Sequence, residues 1–512
     1  MTGPFLRKTI SRFLGKVRDE KVAVEKAVQW AKRVHRVKDG KIEIQSGIHP
    51  PSQETTGYMI PTLYNFGERD LAIELARWEA SCQGEDGSSS AVDGVPYTFD
   101  TAQVIRGYLA VLDDVPELEG NLRRACEFVV RNISSDGEVC TPSYDLWQLP
   151  DGSMLHEYGN LYVLPPMLQA GRKLSEKKYV EAATRGMDCF RRKKDLVEFK
   201  PELSMLSHYF GYMMEALVDL GEFELAKKGL AQAAVMQKAN GAIPAYSGVD
   251  WVCSTGMAQL ALAWYKLGHR EPADRALAYL VTLQNVSGGF YGSYGRGAAY
   301  FQNLEINYAV KFFLDACYWK IKTDFDLEVD VEYLTSIDEG DGRVNEILSF
   351  LGDLNAKCVV DVGCGKGRFL RVLKSRFPKA SLYGLDISDE MLRSCPPEVN
   401  TICASMLNIK QPDGYFDCVY SVEALEHAVR IELAIKEMVR VLKPGGKIII
   451  IDKNNAKAGA LQIKSWEQWF DAEGVANLLR KYGVNATFKY ITYDQWATPD
   501  GLFIAWEGIK AG

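Results

Sequence analysis

Cys358-Val359-Val360-Asp361-Val362-Gly363-Cys364-Gly365-Lys366-Gly367 is an apolar run that breaks into a glycine-rich turn, and residues 368–377 behind it have helical spacing. A strand, a turn and a helix in that order let a ligand approach bare backbone near a helix N-terminus. Working outward, 381–385 is a second apolar run ending in Asp386, 19 residues after Gly367, where a carboxylate can accept both hydroxyls of a ribose. Residues 402–407 give a third strand end and its loop, and 416–421 a fourth strand followed by Val422-Glu423-Ala424-Leu425-Glu426-His427. Val441-Leu442-Lys443-Pro444-Gly445-Gly446 is a helix end and tight turn before a fifth strand, 447–452. Short apolar runs alternating with amphipathic helices predict a parallel α/β sheet. A helix at 473–482 and strands near 486–493 and 502–508 bring the expected sheet to seven strands.

Over about 343–512 these segments resemble the class I S-adenosylmethionine-dependent methyltransferases, with the LKPGG turn distinguishing them from nicotinamide-binding domains. The resemblance implies S-adenosyl-L-methionine as cofactor. It assigns Asp361 and the turn of Gly363, Cys364, Gly365 and Gly367 to the methionine part, and Asp386 to the ribose. Ile387 and Met391 would lie beside the adenine, with Ser405 and Met406 passing its edge; members of the family often carry an acidic residue where Ser405 stands. Ser421 and Val422 would line the pocket. Leu425-Glu426-His427 resembles the stretch after the fourth strand in small-molecule O-methyltransferases. The candidate catalytic pair is therefore His427 with Glu426, the imidazole taking a proton from a hydroxyl as it attacks the methyl group; the alternative is a histidine that fixes the loop or covers the cofactor, with transfer driven by positioning.

The first three-fifths of the chain reads as helix after helix, with a recurring junction: Asp39-Gly40, Asp86-Gly87, Asp136-Gly137, Asn240-Gly241, Gly288-Gly289. A second junction ends alternate helices at Phe66-Gly67, Ala170-Gly171, Leu220-Gly221 and Leu267-Gly268, where glycine permits a left-handed reversal. First helices are expected near 21–36, 70–83, 121–133, 178–192, 223–237 and 272–284. Second helices are expected near 56–66, 100–112, 159–171, 208–220, 255–267 and 305–318. Six pairs suffice to close an α/α toroid, and an open helical solenoid is the competing shape.

The segment 279–284 followed by Gly288-Gly289-Phe290 resembles the repeat of triterpene cyclases, although no DxDD motif is present. The whole region resembles the α/α toroids of glycosidases, polysaccharide lyases and glucuronyl epimerases. Its long loops gather Tyr97, Asp100, Trp147, His156, His208, Tyr209, Asp250, Trp251, Tyr300 and Glu305, a set of rings and polar groups suited to a sugar. Trp466 and Trp469, with Tyr493, are further candidates for the acceptor. The leading reading is a methyltransferase acting on a small-molecule or glycan acceptor, a sugar-containing one O-methylated with help from the toroid. A second reading makes the toroid itself a hydrolase, lyase or epimerase on uronic-acid sugars. A third makes it a scaffold for protein partners.

Composition sets the frame. Of 512 residues, 47% are hydrophobic and 25% charged, which excludes a disordered, collagen-like or coiled-coil chain. With 60 basic against 67 acidic residues the net charge is −7, giving no nucleic-acid footprint. Eleven scattered cysteines without a CxxC pair read as reduced thiols, and no metal site is expected. No stretch has the length and apolarity of a transmembrane helix or the apolar core of a secretion signal, which points to the cytoplasm. Residues 5–18 form a basic amphipathic pattern that fits a terminal helix packed on its own domain or one lying on the inner face of a membrane. The expected organisation is therefore an all-α (α/α)6 toroid over 1–320, an acidic, solvated linker over 321–342, and a Rossmann-like methyltransferase sheet over 343–512.

Overall fold

The computed structural model describes residues 20–35, 52–91, 94–142, 159–192, 206–328, 334–458, 460, 467–491 and 501–512. The expected basic helix at 5–18 lies outside them. The chain forms two compact units: Met1–Thr62 with Asp70–Trp319, and Leu63–Arg69 with Lys320–Gly512.

Twelve helices run through the first part among the described residues: α1 Glu20–Val34, α2 Gln53–Asn65, α3 Arg69–Cys82, α4 Thr98–Val111, α5 Glu119–Arg131, α6 Leu164–Lys173, α7 Lys177–Arg192, α8 Ser207–Asp219, α9 Phe223–Met236, α10 Ser254–Lys266, α11 Arg270–Leu283 and α12 Asn307–Glu328. They alternate in character. In α5 only Leu122, Ala125, Cys126, Phe128 and Val129 are buried, one stripe at helical spacing. In α10 every residue from Ser254 to Tyr265 is buried, so this helix is enclosed on all sides. Odd-numbered helices thus form an outer layer and even-numbered ones an inner layer. Inner neighbours run parallel: Gly211 of α8 packs on Gln259 of α10, and Gly256 on Ser207.

The DG junctions show why glycine recurs. At Gly87, Gly137, Gly241 and Gly288 φ is +90°, +94°, +89° and +97°. A Cβ there would stand 2.0–2.1 Å from the carbonyl oxygens of Arg124, Arg185, Arg275 and Lys26. Each turn therefore seats on the next outer helix, and the last seats on the first, α1. Gln284 adds a hydrogen bond to the Ala23 carbonyl at 2.8 Å. In the inner layer Thr62 of α2 bonds Asp315 of α12 at 2.7 Å. Gly288→Ala should destabilise this unit by about 2–4 kcal/mol, since it combines a left-handed backbone with a backbone clash. Thermal unfolding followed by circular dichroism measures it; an unchanged midpoint would show that the turn does not close on α1.

The second unit holds a seven-stranded sheet: β1 Cys358–Val362, β2 Ser381–Asp386, β3 Asn400–Cys403, β4 Phe416–Val422, β5 Leu442–Lys453, β6 Val484–Ile491 and β7 Phe503–Lys510. Strand order is β3-β2-β1-β4-β5-β7-β6. The first five are parallel, and β7 runs antiparallel between β5 and β6. Alternate residues serve opposite faces. Val360, Val362, Val419, Ile448 and Ile450 pack with α16 Ile431–Val441 and α17 Ala472–Lys481. Val359, Cys418, Tyr420, Ile449 and Ile451 pack with α13 Gly342–Leu351 and α14 Arg368–Arg376. A sheet covered on both faces explains its near-continuous apolar strands.

The linker expected over 321–342 differs. Helix α12 continues to Glu328, and Asp341 caps α13 by accepting from the Arg343 amide at 2.8 Å. Its charges are engaged: Lys322 pairs with Asp326 at 3.3 Å and with Asp389 at 3.1 Å. Asp326 accepts from Ser388 at 2.5 Å. Leu63–Arg69 is also part of this unit. Arg430 donates to the Phe66 carbonyl at 2.8 Å and pairs with Glu68 at 2.7 Å, while Asn408 donates to the Tyr64 carbonyl at 3.1 Å.

Candidate active site

The chain leaves β1 for β2 and β3 on one side and returns to β4 on the other, so the carboxyl ends of β1 and β4 flank the crevice where open α/β sheets bind ligands. The turn after β1 is built to leave that crevice open. Gly363, Gly365 and Gly367 all have left-handed φ, at +80°, +52° and +74°. A Cβ at Gly363 would meet that of Ala424 at 2.3 Å, whereas one at Gly365 would meet nothing within 4 Å. The amides of Gly363 and Cys364 both donate to the Leu385 carbonyl, at 2.7 and 2.9 Å. The amide of Gly365 donates to Asp386 at 2.8 Å, and that of Ser388 to its other oxygen at 2.9 Å. Asp386 is thereby locked to the turn, and burial raises its pKa against the pull of those amides. Asp361 is buried; its Oδ2 makes no hydrogen bond of good geometry, and the nearby Tyr420 hydroxyl and Arg368 pull its pKa down only weakly. Burial pushes its carboxyl up to about 8.

At the end of β4, Glu423 takes a left-handed backbone, φ +50°, costly for a residue with a side chain. Its carboxylate receives Arg343 and, at 3.0 Å, Arg368. Next come Leu425–His427, a single 3-10 turn. Glu426 is buried and gripped by Lys453, whose ammonium reaches both its oxygens at 2.7 Å and Glu467 at 2.7 Å. Burial alone would lower the Lys453 pKa; the two carboxylates outweigh it and hold the ammonium above its ordinary value. His427 Nε2 is 3.4 Å from Glu426, and its ring stands edge-on to Phe325 with centroids 5.1 Å apart. Glu426 is thus fixed by an ion pair, with the His427 ring beside it. The Glu426 amide donates to Asp452 at 3.0 Å, and burial, then the charge of Glu426, raises the Asp452 pKa.

Other expected cofactor residues divide. Met391 is buried, Ile387 half-buried, and the Met406 methyl would lie 3.7 Å from a Cβ at Gly363. Ser405 accepts from the Leu407 amide at 3.2 Å, shaping its own loop. Val422 is buried. Ser421 is not a pocket hydroxyl: it is fully buried and donates to the Val362 carbonyl at 2.8 Å, tying β4 to β1. Trp469 bonds Glu467 at 3.3 Å, and Trp466 and Tyr493 lie outside the described residues.

In the first unit, Trp147 and His156 lie outside the described residues. Asp250 is 89% exposed in an ion pair with Lys238, and Glu305 is spent on Trp30 at 2.6 Å and Asn285 at 2.9 Å. Tyr97 and Asp100 are buried at the start of α4. The structure does gather His208, Tyr209, Trp251 and Tyr300. His208 faces the rings of Tyr209 at 5.4 Å and Tyr300 at 6.0 Å, and Tyr209 and Tyr300 pack against the cluster around Trp251. Burial lowers the His208 pKa to about 4, and Nδ1 lies 2.8 Å from Gln259 Oε1. Tyr308 stacks on His208 at 5.4 Å and accepts from Tyr300 at 3.2 Å. Glu54, close enough to raise Tyr58, Tyr212 and Tyr308, is pushed by burial up to about 7. Glu54 and Tyr308 escaped the sequence reading. Their signal is register: each is the second residue of its inner helix, as His208 is of α8.

Among the described residues no helix is long and apolar enough to cross a membrane, and no group of three or more His, Cys, Asp or Glu could hold a metal.

A family profile described as methyltransferase domain matches residues 360–450. Over 174 residues the chain is 30% identical to 2-methyl-6-phytyl-1,4-hydroquinone methyltransferase of Synechocystis sp., covering 30% of this chain and 54% of that protein. Over 201 residues it is 31% identical to chloroplastic tocopherol O-methyltransferase of Arabidopsis thaliana, covering 32% and 58%. The chain therefore spans a little over half the length of these relatives. Among solved structures it is similar to geranyl diphosphate C-methyltransferase from Streptomyces coelicolor, at 14% identity and TM-score 0.31, covering 37% of this chain and 98% of that one. The second unit carries a methyltransferase domain, and S-adenosyl-L-methionine is its cofactor. The residues fit that molecule: an unpartnered buried Asp361 oxygen suits an ammonium group, and the open Gly365 suits close approach to backbone. Asp386, at the end of β2 and bonded to the turn, supplies the carboxylate that ribose hydroxyls would need.

Proposed function

We propose that the chain is an S-adenosyl-L-methionine-dependent methyltransferase that methylates a hydroxyl of a sugar-containing acceptor. The observation that carries the methyl-transfer reading is the convergence of Asp361, the 363–367 turn and Asp386 at the carboxyl ends of β1 and β2, with His427 on the loop after the neighbouring strand. Bound there, the cofactor supplies an electrophilic methyl group. Asp361 binds and the turn orients; Asp386, held by two amides, keeps its carboxylate aimed without needing to reorganise. His427 takes the acceptor proton, and the Glu426 carboxylate beside Nε2 stabilises the imidazolium that results. Lys453 keeps Glu426 from swinging away. O-methylation agrees with the name of the tocopherol relative, while the sugar part rests on the ring cluster around His208 in the first unit, which we read as an (α/α)6 toroid.

A second reading is favoured by that same cluster. An uncharged His208, a Tyr300–Tyr308 hydroxyl pair and a protonatable Glu54 form a set able to give and take protons on a uronic-acid sugar.

Full-length protein incubated with methyl-labelled cofactor and separate glycan and lipid fractions tests the first reading. Label released by acid hydrolysis as an O-methyl monosaccharide supports it, and label confined to lipid or quinone overturns the acceptor class. His427→Ala should lower the labelling rate about 10²–10⁴-fold without weakening cofactor binding. Cofactor-independent sugar conversion lost on His208→Ala would establish the second reading.

A further inference from the structure

Two thiols meet at the cofactor turn. Cys364 is its second residue, and Cys395 follows α15 Asp389–Leu392. Their sulfurs are 3.9 Å apart, and both lie against one peptide, at 3.5 and 3.6 Å from the Gly365 carbonyl oxygen. Cys395 also occupies the space a Cβ at Gly367 would need, its sulfur 3.0 Å from that position. Cys364 is the fixed member: it is buried, and a Cβ on Gly384 of β2 would stand only 2.8 Å from its sulfur. Cys395 is half-buried and hence the accessible one. The contact with Cys364 lowers the Cys395 pKa, and the same contact, then burial, raises that of Cys364.

We propose that Cys364 and Cys395 form a reversible oxidation site, closed to a disulfide by exchange with a small disulfide such as oxidised glutathione, and that closure weakens binding of S-adenosyl-L-methionine to the turn between them. The second half rests on the methyltransferase reading above. The chemistry balances. The Cys395 thiolate attacks one sulfur of oxidised glutathione, forming a mixed disulfide and releasing one glutathione thiolate. Cys364, its proton passed to solvent, attacks the Cys395 sulfur and expels the second. Two protein thiols are oxidised, one glutathione disulfide is reduced to two thiols, and the two protons end on them.

A bonded pair sits about 2.05 Å apart, so closure requires the sulfurs to approach by about 1.9 Å. With Cys364 wedged against β2, the shift falls on Cys395 and on the Gly365 and Gly367 peptides beside it. Those peptides are the cradle, and a site that binds through fixed backbone loses affinity when displaced by about 1 Å.

The test treats reduced full-length protein with oxidised glutathione, traps free thiols by alkylation and examines peptides by mass spectrometry. Binding of S-adenosylhomocysteine is measured by calorimetry before oxidation, after it, and after dithiothreitol. Expected are a Cys364–Cys395 cross-link and an affinity about tenfold lower or weaker still, restored by reductant. Cys395→Ser should show neither effect, and a variant at the exposed Cys82, Cys82→Ser, should show both. No cross-link, or glutathione left on Cys395 alone, overturns the disulfide. A cross-link with unchanged affinity overturns the effect on the cofactor. A cross-linked protein whose reduced form binds no S-adenosylhomocysteine overturns the cofactor reading, and with it the effect on affinity.

Discussion

A fragment of residues 343–512, which carries the glycine-rich turn and all seven strands, should fail to hold the stability of the second unit. It leaves Arg430 without the Phe66 carbonyl and Glu68, although those two charged side chains are only 9% and 11% exposed. Removing one partner of a buried ion pair costs about 3–5 kcal/mol, because the other charge stays buried and uncompensated. Asn408, 3% exposed, loses the Tyr64 carbonyl, at about 1–3 kcal/mol. Ser388 loses Asp326, and His427 loses the ring of Phe325. Together these losses approach the whole stability of a typical domain, about 5–15 kcal/mol. The fragment should be expanded and aggregation-prone, with poor dispersion in a proton NMR spectrum. A fragment of 320–512 should be intermediate, since it keeps Lys322, Phe325 and Asp326 but not Leu63–Arg69. A cooperative melt of 343–512 within a few degrees of the full chain would show that these contacts contribute little.

That prediction marks the limit of what the sequence revealed. Strand positions were legible because a sheet covered on both faces needs unbroken apolar runs, and each of the seven observed strands overlaps or adjoins an expected one. Helix positions were legible because turn glycines and caps punctuate a regular repeat. Pairing across long sequence distance was not. Nothing local says that the segment carrying Tyr64 and Phe66, 344 residues before Asn408 and 364 before Arg430 respectively, belongs to the methyltransferase unit, or that an acidic run at 321–328 finishes a helix and has its charges paired. The candidate site divides in the same way. Gly363, Gly365 and Asp386 announce themselves by conformation and spacing. Lys453 does not: it ends β5 as one lysine among many, and only the fold brings it to Glu426 and Glu467. Ser421 shows the converse, where a hydroxyl at the right position in the chain turns inward and ties two strands.

Asp361→Asn should stabilise the cofactor-free protein and weaken cofactor binding, two effects of opposite sign from one oxygen. The Asp361 carboxyl is buried with Oδ2 unpartnered, and burial raises it to about 8 in the folded chain, against about 3.9 when unfolded. The folded state therefore favours the protonated form. Its contribution to stability is complete below about pH 4, is lost progressively as pH rises, and is gone above about 8. Asparagine has no such proton to lose, so the advantage of the variant should grow between pH 5.5 and 8.5. It should reach several kcal/mol, on the order of 5, the cost of ionising the buried carboxyl that asparagine avoids. Binding reverses the comparison. On the cofactor reading proposed above, the same oxygen accepts from the cofactor ammonium; a hydrogen bond between charged groups is worth about 1.5–3 kcal/mol, so S-adenosylhomocysteine affinity should fall about 10–150-fold. Unfolding at both pH values without ligand, and calorimetry at the higher one, read the two effects separately. A variant less stable than the parent at pH 8.5 would mean that the Asp361 charge is already compensated within the protein, and the ammonium would then have to be held elsewhere.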